Sequence, residues 1–446
     1  MNIVEHAISL GMDPRKVANW APIANDLIAK TGECVFPGGT FTIGDSAAPG
    51  PGDPFPDPNA RGAIVWGWSR RDGVRIVGMG PENTTLRLAD HVVLPSNFDP
   101  TRSWWDMIKT GGPGPFDSVA CSHCSVEGIR FDGNHANNLG ITNKAIRIIG
   151  EGTVVKNCRF EDFGPASIPN RNGPECFVVE LAFPSTRCSG IGQVVDKCWF
   201  GRPGRRTDAP AGYTTENTQI SIGGNLTSGE FATGVSVTGC TFTGRFDRKV
   251  QQAPLHAVTL NMTDGAIVSN NLFDGFEGSC IYTDTGSQKN TVIVGNHAIK
   301  VWTFVQWTVQ NWSRMGGTAE MTASFDGCSI HNNVVSLSGP TTYAWDAPEG
   351  SPSFMGVLQD RDLPVDGFHD VVVHSNSVEP SNLPLMADYG GYWPPAGRWQ
   401  PSSVTGAVRG IEVRAPRVEF APPAPDHRSS SGVLWVAAAI AALVAL

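Results

Sequence analysis

Hydrophobic and polar positions along this chain hold one alternation only briefly. Apolar residues recur at every second position for a few residues, the phase slips, and a second short alternation begins. The clearest case is TVVKNCRF at residues 153–160, where Val155 carries one phase and Cys158 and Phe160 the other. The pattern recurs in SVEGIRF ending at Phe131, VVDKCWF at Phe200, VSVTGCTF at Phe242 and IVSNNLF at Phe273. Weaker copies, VIVGNHA, SIHNNVV and VVHSNSV, end at Ala298, Val335 and Val378. The central residues are Ile129, Cys158, Cys198, Cys240, Asn271, Asn296, Asn333 and Asn376. Three residues before each stands Val or Ile, and two residues after stands Phe, Ala or Val. These positions have opposite parity, so both point inward only if the chain bends between them. The residue just before the centre is Gly128, Asn157, Lys197, Gly239, Asn270, Gly295, Asn332 or Ser375. Six of these eight are Gly or Asn, the residues that most readily take the left-handed conformation of a one-residue corner.

Each copy therefore predicts two short strands joined by a corner. The copies recur every 25 to 43 residues, one per coil, with loops of varying length between them. Such units bury little apolar surface alone and must stack. The expected fold is all-β, a parallel β-helix with like residues ~4.8 Å apart along the axis. From residue 145 a third strand precedes each corner, with inward pairs Ile146/Ile148, Val179/Leu181, Ile220/Ile222, Val258/Leu260 and Ile281/Thr283. Arg147, Glu180, Ser221, Thr259 and Tyr282 then face outward, and Gly223, Asn261 and Asp284 form a neighbouring outward column. Residues 95–120 read as a long loop bearing Trp104 and Trp105.

At the N-terminus, Asp13–Pro14 reads as a helix cap with Pro in the first turn. Val17, Trp20, Ala21, Ala24, Leu27 and Ile28 fall on one face, and Gly32 ends the helix. CVFPGGTFTI follows at 34–43. A helix followed by this run, with Cys34 at the Val of V-x-F-P-x-G-x-[YF]-x-I, resembles the start of the pectate-lyase-like right-handed β-helix superfamily, which includes phage tailspikes and polysaccharide-active enzymes. The resemblance runs over residues 13–415. It implies right-handed coils and a helix that plugs the open end of the solenoid, where an unpaired edge would otherwise be exposed. The expected organisation is a capping helix and first strand (1–44), a Pro/Gly-rich loop (45–61), the β-helix (62–415), a linker (416–431) and a hydrophobic tail (432–446) read as a short helix.

Composition narrows the partners. The formal net charge of −9 over 446 residues argues against nucleic acid or an anionic membrane as the main partner. Residues 1–16 lack the basic start and apolar core of a secretory signal. The ten Cys show no disulfide framework, and Cys158, Cys198 and Cys240 read as reduced filler of one inward column. CSHC at 121–124 has metal-ligand spacing but no second pair, so buried thiols are the stronger reading. Asp45, Asp53 and Asp57 are candidate calcium ligands in a loop that reads more simply as solvated; no other cofactor is expected. The tail carries no charge and is shorter than a ~20-residue span, so membrane or virion docking competes with burial in an oligomer.

The candidate chemistry lies on the outward face of the third strands. Arg147, Asn261, Tyr282, Trp307 and Asp360 are expected to bind carbohydrate, because amides and charges hydrogen-bond hydroxyls and aromatic rings pack on sugar faces. Glu180, Asp264 and Asp284 are the candidate catalytic acids. Glycoside hydrolysis needs carboxyls ~5–5.5 Å apart for retention or ~6.5–9.5 Å for inversion. Glu180 and Asp284 fall three coils apart, ~14 Å, leaving Asp264 with Asp284 on adjacent coils. NMTDG at 261–265 resembles the Asn-Thr-Asp-Gly signature of polygalacturonase-like hydrolases. The other signatures of those enzymes are missing, as is the Trp-x-Asp-His of pectate lyases, and Asp264 also fits a plain turn. Arg147 with Glu180 is the pair available for lysis by β-elimination. The leading expectation is a virion or cell-surface attachment spike, a homotrimer that binds and in some versions cleaves host polysaccharide. A secreted lyase or hydrolase, and a non-catalytic membrane-anchored scaffold, are the alternatives.

Overall fold

A computed structural model describes residues 1–44, 60–66, 72–92, 104–110, 121–166, 176–181, 191–201, 217–224, 230–244, 255–276, 278–283, 287–309, 324–337, 353–359, 368–379, 386–388 and 411–413. Residues 1–414 form one compact unit. The loop at 45–59, the linker and the hydrophobic tail lie outside the described residues. Among those described, no helix is long and apolar enough to cross a membrane.

Two helices close one end. The first, Ile3–Ser9, opens with a reciprocal cap in which Asn2 and Glu5 each accept the other's backbone N–H. The second, Ala21–Thr31, ends at Gly32 with φ 78°. Asp13 and Pro14 do form a capped turn, but it is a single 3₁₀ turn, Pro14–Lys16, and Val17 is already extended. The helix expected from Pro14 starts instead at Ala21, because Pro22 lacks an N–H and fits only the first turn. Ile23, Ala24, Leu27 and Ile28 pack into the same core as the coils, which is what a plug must do. His6 Nε2 and Asp26 Oδ2, 2.7 Å apart, tie the two helices together.

Every predicted corner has positive φ, from 49° at Asn157 to 69° at Gly128, Lys197 and Ser375 included. The strands on either side form two long parallel sheets. In the first, Val126, Val155, Val195, Val237, Val268, Ile293, Ile330 and Val373 pair in one column. In the second, Phe131, Phe160, Phe200, Phe242 and Phe273 stack with ring centroids 5.2, 4.8, 4.9 and 5.1 Å apart. Each ring is buried, worth ~1.5–3 kcal/mol against an exposed one.

The central column does more than fill space. Asn271, Asn296, Asn333 and Asn376 each donate from Nδ2 to the carbonyl of the Val or Ile column one coil earlier, at 2.9–3.0 Å. Their Oδ1 atoms accept the backbone N–H of the preceding coil's central residue, at 2.8–3.0 Å. Cys158, Cys198 and Cys240 reach the equivalent carbonyls with Sγ, at 3.6–3.7 Å. Thiol and amide can therefore share one column, three Cys followed by four Asn, because both satisfy backbone groups that the corner takes out of the sheet ladders.

The third sheet has ten strands, Ala60–Trp66 and Trp104–Thr110 among them. Trp104–Thr110, expected to be loop, pairs in parallel with Ala60–Trp66 and Thr142–Ile148. A small fourth sheet, from Ala232–Thr233 to Phe368–His369, carries Asp264, Lys289 and Asp326 side by side.

Candidate functional site

The third sheet differs from the first two in burying both faces. Its inner column runs Ile64, Ile108, Ile146, Val179, Ile220, Val258, Ile281 and Val305. Phe304, next to Val305, also points into the core, against Phe273 and Phe354. Two consecutive inward residues mean that these strands carry a corner of their own. As a result Thr303 and Gln306, three residues apart, both face out, and the register extends this to every coil. One outward row is Asp106, Lys144, Phe177, Thr218, His256 and Ser279; the other is Lys109, Arg147, Glu180, Ser221, Thr259 and Tyr282.

The rows meet on a diagonal at three places, where a residue of the first touches the second row one coil on. Lys144 Nζ donates to Glu180 Oε2, His256 stacks on Tyr282 with centroids 4.0 Å apart, and Ser279 Oγ donates to Gln306. Arg147 Nε also lies 3.5 Å from Glu180 Oε2. Among the described residues, charge is confined to the coils of Trp104–Thr110, Thr142–Ile148 and Cys176–Leu181, which bring together Asp106, Lys109, Lys144, Arg147 and Glu180, all buried. The next coils present only neutral groups: Thr218, Ser221, His256, Thr259, Asn261 and Tyr282.

The two carboxyls of the charged part are driven apart. Burial pushes Asp106 above the usual carboxylate range, against the pull of Arg147, Lys144 and Lys109, and neither of its oxygens has a hydrogen-bond partner among the described residues. Burial acts on Glu180 too, but Lys144 and Arg147 outweigh it and hold Glu180 below its ordinary value. A low and a high carboxyl two coils apart, with Lys144 and Arg147 on the strand between them, is the pattern of a base and an acid. Burial also lowers His256 to about 3, so the ring is neutral.

Of the sequence-predicted residues, Arg147 and Glu180 come into direct contact, and Asn261 and Tyr282 lie on adjacent strands of the same face. Trp307 does not join them. It points inward and stacks on Phe325 and Phe368 at 4.9 and 5.5 Å, because it continues the Thr283 column of the core. Asp264 sits on the fourth sheet, past a corner at Met262 (φ 51°), where Asn290 Nδ2 donates to its Oδ1 at 2.8 Å. Asp284 and Asp360 lie outside the described residues, as do Asp45, Asp53 and Asp57. Among the described residues no group of three or more His, Cys, Asp or Glu is placed to hold a metal ion. Cys124 Sγ lies 3.4 Å from the Cys121 carbonyl. Sequence reasoning missed Asp106, Lys109, Lys144, Thr218 and His256. For Asp106 and Lys109 the signal was the match of I-K at 108–109 to I-R at 146–147, hidden inside the presumed loop.

No family model and no curated protein matches the sequence. Solved structures do. A mutant tailspike protein of E. coli bacteriophage HK620 aligns at TM-score 0.54 and 15% identity, over 85% of this chain and 56% of that one. Another mutant of that tailspike, in complex with a pentasaccharide, aligns at 0.55 and 14%, over 86% and 58%. The A-module of Azotobacter vinelandii mannuronan C-5 epimerase AlgE4 aligns at 0.39 and 12%, over 84% and 95%. The chain thus spans little more than half the length of the tailspikes it matches. The fold is the right-handed parallel β-helix, with the N-terminal helix in place.

Proposed function

We propose that this chain is the polysaccharide-binding shaft of a virion or cell-surface attachment spike, with the glycan bound along the outward rows of the third sheet. The observation that carries this reading is the face itself. Among the described residues it is the one long-sheet face on which polar and charged side chains are shielded from water, and shielded polar atoms without partners are what a hydroxyl-rich ligand satisfies. The tailspike likeness supports the architecture, and the pentasaccharide bound by that protein supports the ligand class. A homotrimer, and docking of the particle end through 432–446, belong to the same reading.

The test is isothermal titration of the full chain with a panel of bacterial surface polysaccharides. At least one binds, and Glu180→Gln and Tyr282→Phe each weaken it about tenfold, the worth of one good hydrogen bond. A panel without a binder, or binding indifferent to both variants, overturns the proposal. A second reading, cleavage of the bound glycan, is favoured by the opposed shifts of Asp106 and Glu180. It predicts new reducing ends from a binding polysaccharide, lost in Asp106→Asn.

A further inference from the structure

The neutral part of this face holds an arrangement that the charged part does not explain. Thr218, His256, Thr259 and Asn261 are exposed by only 1, 3, 3 and 7%. Thr218 Oγ1, His256 Nδ1, Thr259 Oγ1 and Asn261 Oδ1 nevertheless have no hydrogen-bond partner among the described residues. The four residues occupy the paired strands Asn217–Gly223 and Leu255–Asn261, with Thr218 directly beside His256. A buried polar atom left unpaired destabilises the fold, so four of them on two neighbouring strands call for a partner.

The geometry points to a separate subsite here, which takes an uncharged, hydroxyl-bearing sugar residue of the bound glycan by accepting its O–H groups. This rests on the polysaccharide-binding reading and names which part of the ligand goes where. The His256 ring hydrogen-bonds the Ser279 backbone through its other nitrogen, so Nδ1 offers a lone pair. Asn261 Oδ1 only accepts, and the two threonine hydroxyls turn either way. The set matches a partner that mainly donates. A carboxylate, sulfate or phosphate only accepts, and would set its oxygens against these lone pairs. An ammonium would enter without a counter-charge on these strands, a costly burial. The acidic substituents of a mixed glycan are therefore directed three coils back, to Lys144 and Arg147. Asn261 and Tyr282, exposed by 7 and 8%, are the least buried side chains of this neutral part.

The experiment uses the full chain on an array of bacterial polysaccharides that includes neutral, mixed and purely anionic polymers, polysialate and oligogalacturonate among the last. Binders are expected to contain an uncharged residue, and the two purely anionic polymers are expected not to bind. His256→Phe and Thr259→Val each weaken a binder about tenfold. Thr259→Ser keeps the hydroxyl and keeps the affinity, and matching circular dichroism and melting temperature show that the variants fold. If glycans bind but His256→Phe and Thr259→Val leave affinity unchanged while Lys144→Met abolishes it, the subsite is wrong and the polysaccharide reading stands. If purely anionic polymers bind as well as mixed ones, the subsite is likewise overturned. If nothing on the array binds, both fall, and the four atoms serve only ordered water.

Discussion

Asn296 shows what one position can hold together. Its Oδ1 accepts from the backbone and side chain of Asn271, and its Nδ2 donates to the Val268 carbonyl and to Asn333. Leucine would fill the space but leave a buried N–H and a buried carbonyl without partners. We expect Asn296→Leu to lose about 3 kcal/mol in denaturant unfolding, since each orphaned group costs roughly 1–3 kcal/mol. Asn296→Cys, which reproduces the arrangement at Cys240, is expected to lose less than half as much. Equal losses would mean that the column is held by packing alone. The corners were legible for the same local reason: Gly or Asn ahead of six of the eight central residues announces a positive φ, and Lys197 and Ser375 follow by register. That Cys also bonds backbone was not legible, because a buried thiol reads equally well as apolar filler.

The strands of the third sheet were legible by parity only in part. Arg147, Glu180, Ser221, Thr259 and Tyr282 were placed correctly by alternation with their inward neighbours. Lys144, Thr218 and His256 were not, because the sheet's own corner brings residues of the other parity onto the same face. Trp307 is the converse case, since aromatic content suggested a sugar platform while its pairing with Thr283 puts it in the core. Asp106 and Lys109 were hidden because two charges break the apolar signal of Trp104–Thr110. The charged cluster also makes a prediction about pH. Asp106 is raised above its unfolded value, so its favourable contribution is complete below that value, near 4, and is lost as pH rises through the folded one. At pH 7 it destabilises the fold, and Asp106→Asn is expected to raise the melting temperature there and to give no gain at pH 3. Glu180 is lowered, so its contribution has the opposite sign: present at pH 7 and lost as pH falls through the folded value. A drop in melting temperature for Asp106→Asn at pH 7 would mean that the neighbouring cations, rather than burial, govern this carboxyl.

At the scale of the molecule, one stack of coils aligns every column, so a site spread over residues far apart in sequence needs only a shared register. Lys144 and Glu180, 36 residues apart, touch because their coils are neighbours. The same stacking separates chemistries along the axis, charged groups toward the capped end and neutral groups beyond. The central claim is that this face, and not another, holds glycan. The most direct test is a structure of the full chain with an oligosaccharide from a polymer that it binds. The account predicts sugar along Glu180, Ser221, Thr259 and Tyr282, with an uncharged ring against His256 and Asn261. Sugar on the second sheet, for instance over the Arg159–Trp199 stack, with the third-sheet face empty, would contradict it.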